Sequence, residues 1–139
     1  MDKFVIIGNK KLAGEVEVRG SKNAAGPALA AVLLTDKECV IDNLPSIEDI
    51  KNTIEILKSL GVKIEWIGER KIKAKAEDIN PERINFEKVS KTRISVLFFG
   101  SLLARFKKFQ ISAPGGDVIG LRPIHTQLKA LENILIGLR

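Results

Sequence analysis

"NAAGPALAAVLL", residues 23–34, is apolar on every side. A helix at a protein surface keeps a polar face; this run has none, so it reads as a buried helix rather than an amphipathic one. Pro27 suits such a helix only within its first turn. The flanking segments supply what would surround it. "EVEVR" (15–19) alternates as a strand, and "ECVIDNL" (38–44) follows as another. "SIEDIKNTIEILKSLG" (46–61) predicts an amphipathic helix, with Ser46 as N-cap, Glu48 and Asp49 in the first turn and Gly61 as the stop. Ile47, Ile50, Ile54, Leu57 and Leu60 make its apolar stripe. "VKIEWI" and "KIKAKA" then alternate around Gly68-Glu69-Arg70, a hairpin turn. The order is β-α-β-α-β-β.

That order starts again. Ser21-Lys22 aligns with Ser90-Lys91 and Pro45 with Pro114, both offset by 69 residues (90 − 21 and 114 − 45). Between these anchors lies a second wholly apolar helix, "RISVLFFGSLLARF" (93–106). Past the second proline the offset becomes 74, pairing Ile50 with Ile124, Ile54 with Leu128 and Leu57 with Leu131. Five residues (74 − 69) have therefore entered the second copy. They fall in "ISAPGGDVIGLRP" (111–123), a β-like run opening into a loop with Gly115, Gly116, Asp117, Gly120 and Arg122. An internal repeat is an architectural signal, and an insertion confined to one loop of one copy marks that loop as functional. The second copy's last helix runs to about Asn133, where a Leu-Gly stop near 134–135 is replaced by "ILIG", and no closing β-β pair follows.

Composition sets the outer bounds. The 139 residues are one domain's worth, with 45% hydrophobic and 29% charged residues, as in ordinary globular proteins. A net charge of +6 and a pI near 9.6 favour polyanionic partners, whether nucleic acid or phosphorylated small molecules. Cys39 is the only cysteine and reads as a buried, inert thiol. The apolar core of "MDKFVIIGNKK" is too short for a signal peptide, and the runs at 24–34 and 94–106 stop short of the ~18 residues of a membrane span. A soluble, cytoplasmic protein is expected.

Three stretches in order, "LAGEVEVRGSKNAAGPALAAVLLTD", "TRISVLFFGSLLARF" and "APGGDVIGLRP", resemble the UDP-N-acetylglucosamine enolpyruvyl transferase family. The resemblance runs from about Phe4 to about Asn133. It implies an α/β fold of repeated β-α-β-α-β-β units arranged as inside-out barrels, helices buried and sheets outside. This chain would supply residues 1–14 as a strand of one domain, 15–78 as a first unit of the other, and 79–139 as a second unit stopping before its last two strands. The implied activity is transfer of the enolpyruvyl group from phosphoenolpyruvate to a sugar hydroxyl of UDP-N-acetylglucosamine, in peptidoglycan precursor synthesis. No cofactor and no metal is implied. The partners are those two small molecules, without a membrane. The chain alone is expected to be inactive and, with the apolar faces of 94–106 and 124–134 uncovered, to self-associate.

By the same resemblance, Lys22 contacts phosphoenolpyruvate with Asn23 beside it. Arg93, Arg122, Pro123, Ile124, His125 and Thr126 line the UDP-sugar site. Asp117 stands where many family members carry a cysteine that acts as general acid and is the target of fosfomycin. A carboxyl can relay a proton but is a poor nucleophile toward an epoxide, so insensitivity to fosfomycin follows. An acidic residue is usual at the position of His125. The residues also allow plainer readings: Lys22 as a solvated lysine before a helix, Arg93 as a partner for Glu87, His125 as a surface or cap histidine. "GGDVIG" has the spacing of neither a P-loop nor a dinucleotide fingerprint. Two other functions compete. One is a non-enzymatic module binding RNA or another polyanion, against which stands the absence of Tyr and of an aromatic cluster for base stacking. The other is a transferase acting on a shikimate phosphate, against which stands the Gly-Gly-Asp loop followed by Arg-Pro.

Overall fold

The computed structural model describes residues 3–117, 119, 120 and 122–136, with side chains to residue 132. The first apolar run forms helix α1 (Lys22–Ala31), tightening into a 3-10 turn over Val32–Leu34. Ala25, Leu29, Ala30, Val32 and Leu33 are buried, whereas Ala24, Pro27, Ala28 and Ala31 are exposed. So α1 buries one face, not every side; the other carries small residues, whose exposure leaves little apolar area in water. Pro27 sits sixth in the helix, beyond the first turn. Its ring has no N–H for the Asn23 carbonyl, and it is tolerated because it lies on the open face.

Strand β1 (Glu38–Ile41) follows, then α2 (Glu48–Ser59), β2 (Lys63–Gly68) and β3 (Lys71–Lys75). The sheet order is β1-β3-β2 with both pairs antiparallel; Ala74 lies opposite Cys39 on one side and Ile64 on the other. Alternation along β3 places Ile72 and Ala74, with Ala76 beyond its end, fully inside, against the core that includes Leu29, Leu33, Ile56 and Leu57. Lys71, Lys73 and Lys75 face outward and pair with Asp42, with Glu38 and Glu65, and with Glu77. Ser46 does not cap α2. Ile47 occupies that place in extended conformation, its N–H given to the Pro45 carbonyl at 3.0 Å, so the turn after the proline sets the start. "EVEVR" forms no strand: residues 3–21 run without secondary structure, with Phe4, Ile6, Ile7, Leu12, Val16 and Val18 exposed. Alternation suits them to a sheet, but no described backbone lies alongside to pair with them.

After a 3-10 turn over Pro81–Arg83 comes a short helix, α3 (Phe86–Val89), whose first turn is capped by the Asn85 side chain. A 3-10 turn over Arg93–Leu97 then leads into α4 (Phe98–Leu103). The continuous helix expected over 93–106 is thus broken in two. Ser95 explains the tight start, its buried hydroxyl donating to the Thr92 and Val89 carbonyls in competition with helical bonding. Leu29 of α1, Leu33 of the 3-10 turn after it, and Phe98 and Leu102 of α4, paired 69 residues apart (98 − 29 and 102 − 33), are all essentially fully buried. Gly26 lets α1 approach the 3-10 turn over Arg93–Leu97 closely, since a Cβ on it would stand 3.1 Å from the Ile94 side chain. Arg105 closes this joint, its Nη1 donating to the Leu33 carbonyl at 3.3 Å and the Ala76 carbonyl at 2.6 Å. The β-like run at 111–114 is irregular, and the last helix, α5, spans His125–Ile136. Gly137 lies outside the described residues.

Candidate anion-binding cleft

The starts of α1 and α2 and of the 3-10 turn at Arg93 converge. Between them and the inserted loop lies a cleft of about 320 Å³. Lys22, Asn23, Gly26 and Pro27 come from α1 and Asp49 from α2. Lys91, Arg93, Ile94 and Leu97 come from the second unit, and Gly116, Asp117 and Arg122 from the loop. Four cationic side chains meet two carboxylates there, an excess of two positive charges (4 − 2) in a concave, partly apolar site. Such a site attracts anions.

Lys22 Nζ donates to Asp49 Oδ2 at 2.9 Å. That hydrogen bond and the Asp49 charge raise the Lys22 pKa; Asp117 adds to the effect and Arg122 opposes it. The same bond holds the Asp49 carboxyl below the usual carboxylate range, with help from the buried Thr92 hydroxyl. Both groups therefore stay charged at neutral pH. One of the three ammonium donors of Lys22 is spent on Asp49, leaving two for a ligand.

The glycines of the loop have two different reasons. Gly115 passes so near the second unit that a Cβ on it would lie 1.5 Å from the Ser90 carbonyl oxygen, and its N–H is directed at the Val89 carbonyl at 3.4 Å. Gly116 has φ +105, a region that side chains rarely enter, and it lies against Arg93 and the Arg122 guanidinium. The loop is tied further by Arg93 Nη2, which donates to the Pro123 carbonyl at 3.4 Å. Arg93 therefore does not serve Glu87, whose partner is Lys91.

The structure brings Lys22, Asn23, Arg93, Asp117 and Arg122 together, with Pro123 joined through its carbonyl. It does not bring in Ile124, His125 or Thr126. The last two begin α5 exposed, and Ile124 lines a different and larger space. That space is an apolar groove of about 920 Å³ walled by Phe86, Phe99, Leu103, Phe109, Ile124 and Leu128. Lys107, Lys108 and Glu132 also border it, but it lacks the converging charges of the smaller cleft. Sequence reasoning missed Asp49 and Lys91 as cleft residues. The signal for Lys91 was its repeat equivalence to Lys22; Asp49 showed only as a helix-start acid.

A family model described as EPSP synthase (3-phosphoshikimate 1-carboxyvinyltransferase) matches residues 6–136. The chain belongs to that family. Similar members of the EPSP synthase family are UDP-N-acetylglucosamine 1-carboxyvinyltransferases. That of Acinetobacter baylyi is 42% identical over 132 residues, covering 95% of this chain and 31% of the relative. That of Helicobacter pylori is 42% identical over 134 residues (96% and 32%), and that of Elusimicrobium minutum 43% over 132 residues (95% and 31%). The chain thus spans about a third of the length of these curated relatives. The crystal structure of the enolpyruvyl transferase NikO from Streptomyces tendae superposes with a TM-score of 0.62 at 22% identity, over 70% of this chain and 23% of that one. The fold is that of EPSP synthase family enzymes. Among the described residues, no helix is long and apolar enough to cross a membrane.

Proposed function

We propose that this chain forms the phosphoenolpyruvate- and UDP-N-acetylglucosamine-binding part of a cytoplasmic 1-carboxyvinyltransferase serving peptidoglycan precursor synthesis. The observation that carries the reading is the convergence of Lys22, Arg93, Arg122 and Asp117 on one cleft with excess positive charge. The names of relatives sharing about 42% of its residues support the acceptor. In this reading Lys22 and Asn23 hold phosphoenolpyruvate. Arg93, Arg122 and the segment Pro123, Ile124, His125 and Thr126 serve the UDP-sugar. Residues 15–78 and 79–139 are successive units of one domain, and 1–14 belong with another.

The chemistry is addition followed by elimination. The sugar hydroxyl oxygen bonds to C2 of phosphoenolpyruvate as its proton passes to the Asp117 carboxylate, which relays a proton to C3. Loss of a C3 proton and departure of phosphate then restore the double bond. Asp117 is the proton donor: it is the carboxyl on the loop that covers the cleft, and the neighbouring guanidinium of Arg122 keeps its proton throughout.

The test uses a full-length relative carrying this loop. That enzyme is active and resists fosfomycin. Asp117→Cys gains time-dependent inhibition with a mass increase on the loop peptide, because a thiolate captures the epoxide. Asp117→Ala loses most turnover, by roughly 10²-fold or more. The isolated 139-residue chain releases phosphate only at background. Covalent inactivation at Asp117 itself, or normal turnover by Asp117→Ala, overturns the assignment.

A further inference from the structure

Lys22 and Lys91 occupy equivalent positions of the repeat, each following a serine and each 69 residues from the other (91 − 22). Both line the same cleft. The resemblance gives Lys22 a ligand and gives Lys91 none. Each lysine has an acid. Asp49 reaches Lys22 from another element, 27 residues away, and its side chain is 28% exposed. Glu87 reaches Lys91 from one helical turn earlier and is 72% exposed. An exposed pair of that kind biases an equilibrium by only about twofold. Arg93 already spends a donor on Pro123. Of the two cleft cations that the second unit supplies outside its loop, Lys91 is therefore the one most easily released. Its backbone is also fixed against the loop, since a Cβ on Gly115 would lie 1.5 Å from the Ser90 oxygen and 3.1 Å from the Lys91 nitrogen.

We propose that Lys91 is a second phosphoryl-binding lysine, exchanging Glu87 for a ligand phosphate oxygen on the second unit's side of the cleft while Lys22 holds the first unit's side. This rests on the reading of the cleft given above. The internal repeat thus supplies the ligand with two lysines from one ancestral position.

The experiment titrates the intact chain with phosphoenolpyruvate and, separately, with UDP-N-acetylglucosamine, following lysine ammonium signals by NMR. Lys91→Gln weakens one or both by about tenfold, the loss of one charge-assisted hydrogen bond, and the ligand so affected identifies which phosphate Lys91 takes. Glu87→Gln tightens the same ligand by about twofold. Lys58→Gln and Glu55→Gln alter a similar exposed pair on α2, bonded at 3.2 Å and outside the cleft lining. They report the effect of net charge alone and change affinity by less than either. Lys22→Gln separates the two claims. If it weakens binding while Lys91→Gln matches the Lys58→Gln control for both ligands, the cleft stands and the proposal falls. If neither ligand shifts any lysine of the wild-type chain, both fall.

Discussion

Replacing Gly115 by alanine separates seating of the loop from stability of the core. The added Cβ would lie 1.5 Å from the Ser90 oxygen and 2.3 Å from its carbonyl carbon. Non-bonded carbon and oxygen meet at about 3.3 Å, so the loop must retreat by about 1.8 Å (3.3 − 1.5). Retreat breaks the bond from the Gly115 N–H to Val89, worth about 0.5–1.5 kcal/mol. Alanine also stiffens the unfolded chain, returning about 0.4–1 kcal/mol. These nearly cancel, so urea unfolding should show a stability change within about 1 kcal/mol. The retreat carries Gly116, Asp117 and Arg122 with it, and displacement of such groups by about 1 Å can cost 10²-fold. Phosphoenolpyruvate affinity of the chain should therefore fall by about tenfold or more. Gly120→Ala is the matched control, since φ there is +112 but no atom lies within 4 Å of its Cβ. It strains the same loop without the collision and should leave the Gly115–Val89 contact in place. A Gly115→Ala chain that keeps normal affinity, or that loses the 3 kcal/mol or more typical of a core truncation, would refute this reasoning.

Two further outcomes follow from charge and exposure. The lowered pKa of Asp49 gives stability that is present above the ordinary carboxylate value of about 3.9 and is lost as pH falls through the lowered value. The raised pKa of Lys22 gives stability that is present below about 10.4 and is lost as pH rises through the raised value. Asp49→Asn should therefore flatten both limbs of the urea midpoint against pH and leave the shape between them unchanged; unaltered limbs would mean the pair does not act as a unit. The exposed Phe4, Ile6, Ile7, Leu12, Val16 and Val18, together with the apolar groove, should make the chain self-associate. Sedimentation should show a mass that rises with concentration, and a monomer at every concentration would count against it.

Local pattern made α2 and the β2–β3 hairpin legible, because the apolar stripe of α2 and the alternation of "KIKAKA" each need only one buried side. "EVEVR" carries the same alternation but makes no strand, since a strand also needs a neighbour's backbone. Ser46 looked like a cap; the Pro45 carbonyl took the Ile47 N–H instead, a backbone event that no side-chain preference reveals. At the site, Lys22 and Arg122 were legible through the family motif. Asp49 was not, because its meaning lies in a 2.9 Å approach between residues 27 apart in sequence. His125, conspicuous as the only histidine, starts a helix outside the cleft lining.

A copied segment that merely stacks on its original remains dispensable, since deleting it re-exposes a surface that once faced water. Arg105 removes that freedom here. The end of the first unit's helix and the end of its sheet each leave a carbonyl, Leu33 and Ala76, that is satisfied from the second unit. The backbone on one side of the joint thereby depends on a side chain from the other. Loss of one arginine from the second copy leaves unpaired polar atoms in the first, each costing about 1–3 kcal/mol where water cannot reach it. A joint held this way cannot be parted from one side alone: Leu33, Ala76 and Arg105 are kept or lost together.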